Sequence, residues 1–169
     1  MGDLRIFEAS TGNIINIQSI AKETWPKTFE SILSPEQIRY MMNWMYSTAS
    51  LTEQFSISNR YFLAESEGKF LGFMSIENNC QQSGRTKIHK AYIVPSAQRK
   101  GIGHAFFDVA ASEAIKSGDK AIYLNVNKSN QQAIAFYEKY GLKNIKSEVI
   151  DIGNGFVMDD YVFEKSIIK

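Results

Sequence analysis

The chain has 169 residues, 44% hydrophobic and 22% charged, the profile of a globular protein long enough for a real core. Its 19 basic and 18 acidic side chains leave a net charge of +1, which excludes a broad basic face for nucleic acid or an anionic membrane. One cysteine, Cys80, excludes an internal disulfide and fits a reducing compartment.

The opening MGDLRIFEAS lacks the basic flank and apolar run of a secretory signal. Within it, Leu4 to Ala9 alternates like a strand. Ile14, Ile17, Ile20 and Ala21 then recur at helical spacing, and Pro26 is expected to interrupt that helix. A second helix is signalled by Ser34 as N-cap, Pro35 at the first helical position and Gln37 three residues after the cap. Ile38, Met41, Met42 and Met45 supply its apolar stripe, and SLTEQFS reads as a short helix or turn. YFLAESEGKFLGFMSIE is a hairpin around Ser66-Glu67-Gly68-Lys69. TKIHKAYIV is a strand stopped by Pro95, followed by a helix from about Gly101 to Ser117 that Gly118 ends. AIYLNV is a strand and SNQQAIAFYEKYG a helix. Strands around 146–150 and 156–163 flank the turn Gly153-Asn154-Gly155. No segment approaches the roughly 20 apolar residues needed to span a bilayer. These elements describe one α/β (α+β) domain over 1–169, expected to be cytoplasmic, with no nucleic-acid and no membrane partner.

The strand–turn–helix VPSAQRKGIGHAFF carries the chemistry. Helix N-termini hold orphan N–H groups and partial positive charge. Gly101 and Gly103 keep side chains away from that backbone, and Arg99 and Lys100 add charge, so a diphosphate is the natural occupant. A dinucleotide fingerprint is rejected because the residue three after Gly103 is Phe106, and no Walker Gly-Lys-Ser/Thr occurs.

QRKGIG, Gln98 to Gly103, resembles the Q/R-x-x-G-x-G/A motif of the GCN5-related N-acetyltransferases, the GNAT family. NKSNQQAIAFYEKYGL is similar to the family's N-x-x-A-x-x-x-Y-x-x-x-G segment through Asn130, Ala133, Tyr137 and Gly141. The resemblance spans roughly Tyr61 to Leu142. It implies a mixed sheet of about seven strands, splayed at a coenzyme A site and flanked by about four helices. It also implies an acetyl-CoA-dependent enzyme. Ala91, Tyr92, Ile93 and Val94 would pair with the pantetheine arm as an added strand would. Gln98, Arg99, Lys100, Gly101, Ile102, Gly103 and His104 would hold the diphosphate, mainly by backbone groups, and Asn130 would bond the pantetheine side.

Acetyl transfer needs a neutral amine, although a free alkylammonium has a pKa near ~10.4. It needs a donor for the oxyanion, which the resemblance gives to the Ala91 N–H, and an acid for the thiolate, which it gives to Tyr137. Some family members carry a glutamate five residues before the motif asparagine. This chain has Asn125 there, so the base is left between Glu77, His89 and no dedicated group. Two histidines and one cysteine, scattered along the sequence, show no metal-ligand spacing, and no metal is expected.

The first two helices usually wall the acceptor site in this family. Here they carry Trp25, Phe29, Tyr40, Trp44 and Tyr46, most of them expected in the core, with Glu30, Glu36 and Glu53 as candidate partners for a second cationic nitrogen. TWPKTFESILSPEQIRYMMNWMYS and MDDYVFEK resemble, more loosely, bacterial spermidine/spermine acetyltransferases of the PaiA type. That implies a small polyamine acceptor, with Asp151, Asp159 and Asp160 available to a polycation. Two alternatives stay open: acetylation of protein or peptide amino groups, and a non-catalytic acyl-CoA sensor. The resemblance also allows a homodimer through the C-terminal strands.

Overall fold

A computed structural model describes residues 2–168. Among them are seven strands and five α-helices, in the order β1 (Arg5–Glu8), α1 (Ile14–Phe29), α2 (Pro35–Tyr46), α3 (Thr48–Ser56), β2 (Arg60–Ser66), β3 (Lys69–Glu77), β4 (Arg85–Ile93), α4 (Ile102–Ser117), β5 (Ala121–Asn127), α5 (Gln131–Tyr140), β6 (Lys143–Gly153) and β7 (Phe156–Ser166). The strands run β1-β2-β3-β4-β5-β7-β6. The fold is the mixed seven-stranded sheet that the resemblance implies. No helix among the described residues is long and apolar enough to cross a membrane.

Two compact units divide the chain. One runs to Glu77 and resumes at His89–Val109; the other takes Asn78–Ile88 and everything from Ala110 onward. In the first, β1, β2 and β3 form an antiparallel ladder over a core of Ile17, Leu51, Tyr61, Leu63, Phe73, Met74 and Phe106. In the second, β5 and β7 pair antiparallel from Ala121↔Ser166 to Asn127↔Asp160, and β6 and β7 close a long hairpin. The first four residues of β4 belong here, pairing parallel with β5 from Arg85↔Ala121 to Ile88↔Leu124.

Three expectations change. The helix containing Ile14 does not stop at Pro26 but continues to Phe29. Trp25 and Phe29 extend its buried stripe, and Pro26 lies on the exposed face, so the helix continues without its N–H. The helix count rises from about four to five, because SLTEQFS takes the helical of its two readings as part of α3, where Ser47 Oγ accepts from Ser50 N at 3.2 Å. The last two strands run well past 146–150 and 156–163. Lys143 and Asn144 fall outside the expected strand because β6 lies at the sheet's end and faces water, so its first residues carry no apolar alternation.

One irregularity shapes the first unit. Between Ala64↔Gly72 and Glu65↔Phe70 the register slips, leaving Leu71 as the extra residue of a β-bulge. The Leu71 carbonyl accepts from Val94 N at 2.9 Å. Next to it, a Cβ added at Gly72 would stand 2.7 Å from Tyr92 O and 3.3 Å from Ile93 Cα, so only glycine lets the two backbones approach this closely. Gly72→Ala is therefore expected to lower unfolding stability by about 1–3 kcal/mol in a urea titration, through backbone displacement rather than lost burial.

Candidate functional site

The first unit presents a strand end, a loop and a helix start. Pro95 ends β4, and Pro95–Ala97 form a 3₁₀ turn in which Ala97 N donates to Val94 O at 2.9 Å. Gln98 Nε2 then donates to Ile93 O at 3.2 Å, tying the loop back to the strand. Arg99 takes φ +61°, an uncommon conformation for a residue with a Cβ, and Gly101 takes φ +86°. α4 begins immediately afterward, with Ala105 N donating to Gly101 O at 3.1 Å. The N–H groups of Ile102 and Gly103 lie in the first turn of the helix, ahead of the Ala105–Gly101 bond, where backbone donors have no intrahelical acceptor. Left-handed residues leading into a helix N-terminus make a concave set of N–H groups suited to an anion. Gln98, Arg99, Lys100, Gly101 and His104 are exposed, whereas the Ile102 side chain is buried and anchors the helix start.

Ala91, Tyr92 and Ile93 are half-buried and Val94 is buried. The Tyr92 ring lies 5.8 Å from Trp25 and 5.7 Å from Phe73, so it belongs to an aromatic cluster while its backbone stays on β4. Trp25, Phe29 and Tyr46 are core, as expected of most of these aromatics; Trp44 is exposed and stacks on Tyr40 at 6.4 Å. Glu36 makes a surface ion pair with Arg39, and Glu30 and Glu53 are exposed. The two candidate bases meet: His89 Nε2 lies 2.8 Å from Glu77 Oε2.

The second unit carries the other motif. Asn130 is the N-cap of α5, its Oδ1 accepting from Ala133 N at 3.3 Å, which leaves the Nδ2 group as the part of its side chain suited to address a cofactor carbonyl. Gly141 closes α5 in the left-handed conformation, donating to Tyr137 O at 3.1 Å. Tyr137 packs 6.2 Å from Phe163 and 5.8 Å from Phe136, and loss of water pushes its pKa up to about 12, so the hydroxyl keeps its proton.

A set of polar groups that spacing alone missed gathers around Asn125. Its Nδ2 donates to Glu148 Oε1 at 2.6 Å. That bond, with a second from Lys146, holds the Glu148 carboxyl below the usual carboxylate range. Asp160 stands opposite Glu148 in the β6–β7 register and is almost fully buried. Burial pushes its pKa up to about 6, against a hydrogen bond from Asn125 that lowers it and with the Glu148 charge adding to the rise. One carboxyl is thus held ionised and its neighbour titrates close to neutrality. Finding this pair needs the register, which sequence spacing does not give. The other acidic candidates have local work: Asp159 pairs with Lys128 at 2.5 Å, and Asp151 accepts from Gly153 N at 2.8 Å in the hairpin turn.

Comparison with known proteins decides the family. The model of the acetyltransferase (GNAT) domain matches residues 27–161. The chain belongs to this family. Its activity class is that of an acetyl-CoA-dependent N-acetyltransferase. An uncharacterized N-acetyltransferase of Lactobacillus delbrueckii subsp. lactis is 21% identical over 99% of this chain and 100% of its own length. The spermidine N(1)-acetyltransferase of Thermoplasma acidophilum is 24% identical over 92% of this chain and 96% of its own. The crystal structure of the PaiA N-acetyltransferase from Thermoplasma acidophilum in complex with coenzyme A superposes with a TM-score of 0.81 at 21% identity, covering 97% of this chain and 99% of that one.

The elevated Asp160 pKa has a thermodynamic consequence. A folded carboxyl above its unfolded value of 3.8 favours folding while protonated, and that contribution is lost as pH rises from about 4 to about 6. Asp160→Asn removes the titration, so denaturant titrations are expected to find the variant gaining on the native chain across that interval and level with itself above it.

Proposed function

We propose that this GNAT enzyme transfers the acetyl group of acetyl-CoA to a primary amine by direct attack within a ternary complex, and that the amine is a small polyamine of the spermidine type. The observation that carries the cofactor part is the left-handed pair Arg99 and Gly101 at the N-terminus of α4. Strain at a non-glycine residue persists where the surroundings enforce it, and here it turns successive N–H groups outward at the positive end of a helix.

In this reading the backbone of Ala91–Val94 pairs with the pantetheine arm, and the loop from Gln98 to His104 receives the diphosphate, with Arg99 and Lys100 adding charge. Asn130 bonds the pantetheine side through Nδ2. The Ala91 N–H stabilises the tetrahedral oxyanion. His89 accepts the proton the amine must lose, and Glu77 holds the imidazole in the required tautomer, an arrangement supported by their 2.8 Å hydrogen bond. Tyr137 gives its proton to the departing thiolate; its raised pKa keeps it in the donating form at neutral pH.

Support for a cationic acceptor comes from the ionised Glu148 beside Asp160 and from the relative named as a spermidine acetyltransferase. Turnover of acetyl-CoA against spermidine, spermine, amino acids, aminoglycosides and peptides tests it, with the highest kcat/KM expected for a polyamine. A preference for peptides would replace the acceptor assignment, and tight coenzyme A binding without turnover would favour an acyl-CoA sensor. Tyr137→Phe is expected to lower kcat on the order of 10²-fold or more with little change in coenzyme A affinity, the range typical of a positioned general acid. An unchanged kcat would remove Tyr137 from this role.

A further inference from the structure

Lys90 is a buried lysine on β4 with 9% of its surface exposed. Its Nζ donates to Gln54 Oε1 of α3 and, at 2.7 Å, to the hydroxyl of Tyr61 on β2. It also lies 5.1 Å from the ring centroid of Tyr46 at the end of α2 and 5.3 Å from that of Tyr61. Tyr61 in turn donates to Gln54 Oε1 at 2.6 Å, and Gln54 Nε2 donates to Met45 O at 3.0 Å. The Tyr46 hydroxyl accepts from Trp25 Nε1 of α1 at 3.0 Å. Lys90 therefore joins the α2–α3 corner to β4, one residue before Ala91.

The groups facing this amine are Tyr46, Gln54 and Tyr61, with Ser75 of β3 cross-strand from Tyr61. Both tyrosines are held protonated by burial. Burial alone lowers the Lys90 pKa, to about 7, with no carboxylate in opposition. Ser75 Oγ is sealed from solvent and forms no well-aligned hydrogen bond, although it lies within hydrogen-bonding reach of the Tyr61 hydroxyl and so lowers that group's pKa against the rise from burial. A buried hydroxyl this close to a donor–acceptor group, yet poorly aligned with it, calls for an explanation, and a second arrangement of the network supplies one.

Donor and acceptor counting identifies that arrangement. An ammonium can only donate, so it takes the Tyr61 oxygen as acceptor and leaves the Tyr61 proton for Gln54. A neutral amine has a lone pair and can accept from Tyr61, which withdraws the Tyr61 proton from Gln54 and turns the Tyr61 oxygen toward another donor, the Ser75 hydroxyl. We propose that Lys90 is a proton-operated positioning residue: gaining or losing one proton reverses the Lys90–Tyr61 hydrogen bond, shifts Gln54 and the α2–α3 corner, and so tunes binding of the amine acceptor. The last step rests on the acetyltransferase reading, in which these helices wall the acceptor; the reversal itself does not.

The test follows lysine ¹³Cε and backbone amide signals by NMR through a pH titration. One lysine, absent in Lys90→Met, is expected to titrate near 7, with the Met45 and Gln54 amides moving at the same midpoint, and Tyr61→Phe is expected to displace that midpoint. In kinetics, KM for the amine should change on the order of fivefold across it, the size of a modest linkage between sites. KM for acetyl-CoA should stay level, and Lys90→Met should flatten the amine dependence. If Lys90→Met proves unstable, Tyr61→Phe carries the same comparison. Titration of Lys90 with the surface lysines near ~10.4, or still amides at Met45 and Gln54, would overturn the proposal. An intact titration with no amine turned over upholds the reversal and removes the acetyltransferase reading instead.

Discussion

The backbone between Ile93 and Ile102 carries a constraint on which the proposed cofactor site depends. A strand must end, turn, and enter a helix with its first donors pointing outward. Pro95 ends the strand by lacking an N–H, and Gln98 returns a side-chain bond to Ile93 O. Arg99 then accepts a left-handed conformation costing on the order of 1 kcal/mol. Burial of Ile102, Phe106 and Phe107, each close to fully enclosed, offsets that strain by fixing the helix against its core. The loop thus holds its shape by packing behind it, and an arriving anion has little ordering entropy to supply.

The same economy of polar groups recurs at two amides. Gln54 turns its oxygen to Lys90 and Tyr61 and its NH₂ to the Met45 carbonyl. Asn125 turns its NH₂ to Glu148, beside the buried Asp160. A carboxylate at position 54 would hold Lys90 charged, and one at 125 would repel Glu148; the Gln54 amide leaves the Lys90 charge open, whereas the Asn125 amide favours the ionised Glu148. The groups left near neutrality, Lys90 and Asp160, each lie beside one of these amides.

Much of this was legible in the sequence, because the deciding signals are local. Ser34 and Pro35 start α2, Gly141 ends α5, and Glu67-Gly68 turn the hairpin through residue-intrinsic preferences. QRKGIG and Asn130 to Gly141 mark the family for the same reason. Tertiary effects were hidden. Pro26 stays helical because neighbouring turns bury Trp25 and Phe29, which no breaker rule contains. His89 and Glu77 could be named as candidates, but their pairing needs the fold. Glu148 and Asp160 lie on different strands and meet only through register, and nothing local marks Lys90, whose aromatic surroundings come from α2 and β2.

The two tryptophans sit in opposite settings. Trp44 stands open to solvent on α2, while Trp25 is enclosed, bonded to the Tyr46 hydroxyl and 5.8 Å from the ring of Tyr92. Their emission should therefore separate: Trp44 red-shifted and quenched by aqueous iodide, Trp25 blue-shifted and shielded. Because Trp25 touches the strand assigned to pantetheine and bonds to the tyrosine beside Lys90, its fluorescence is a built-in optical gauge of both, readable without a label.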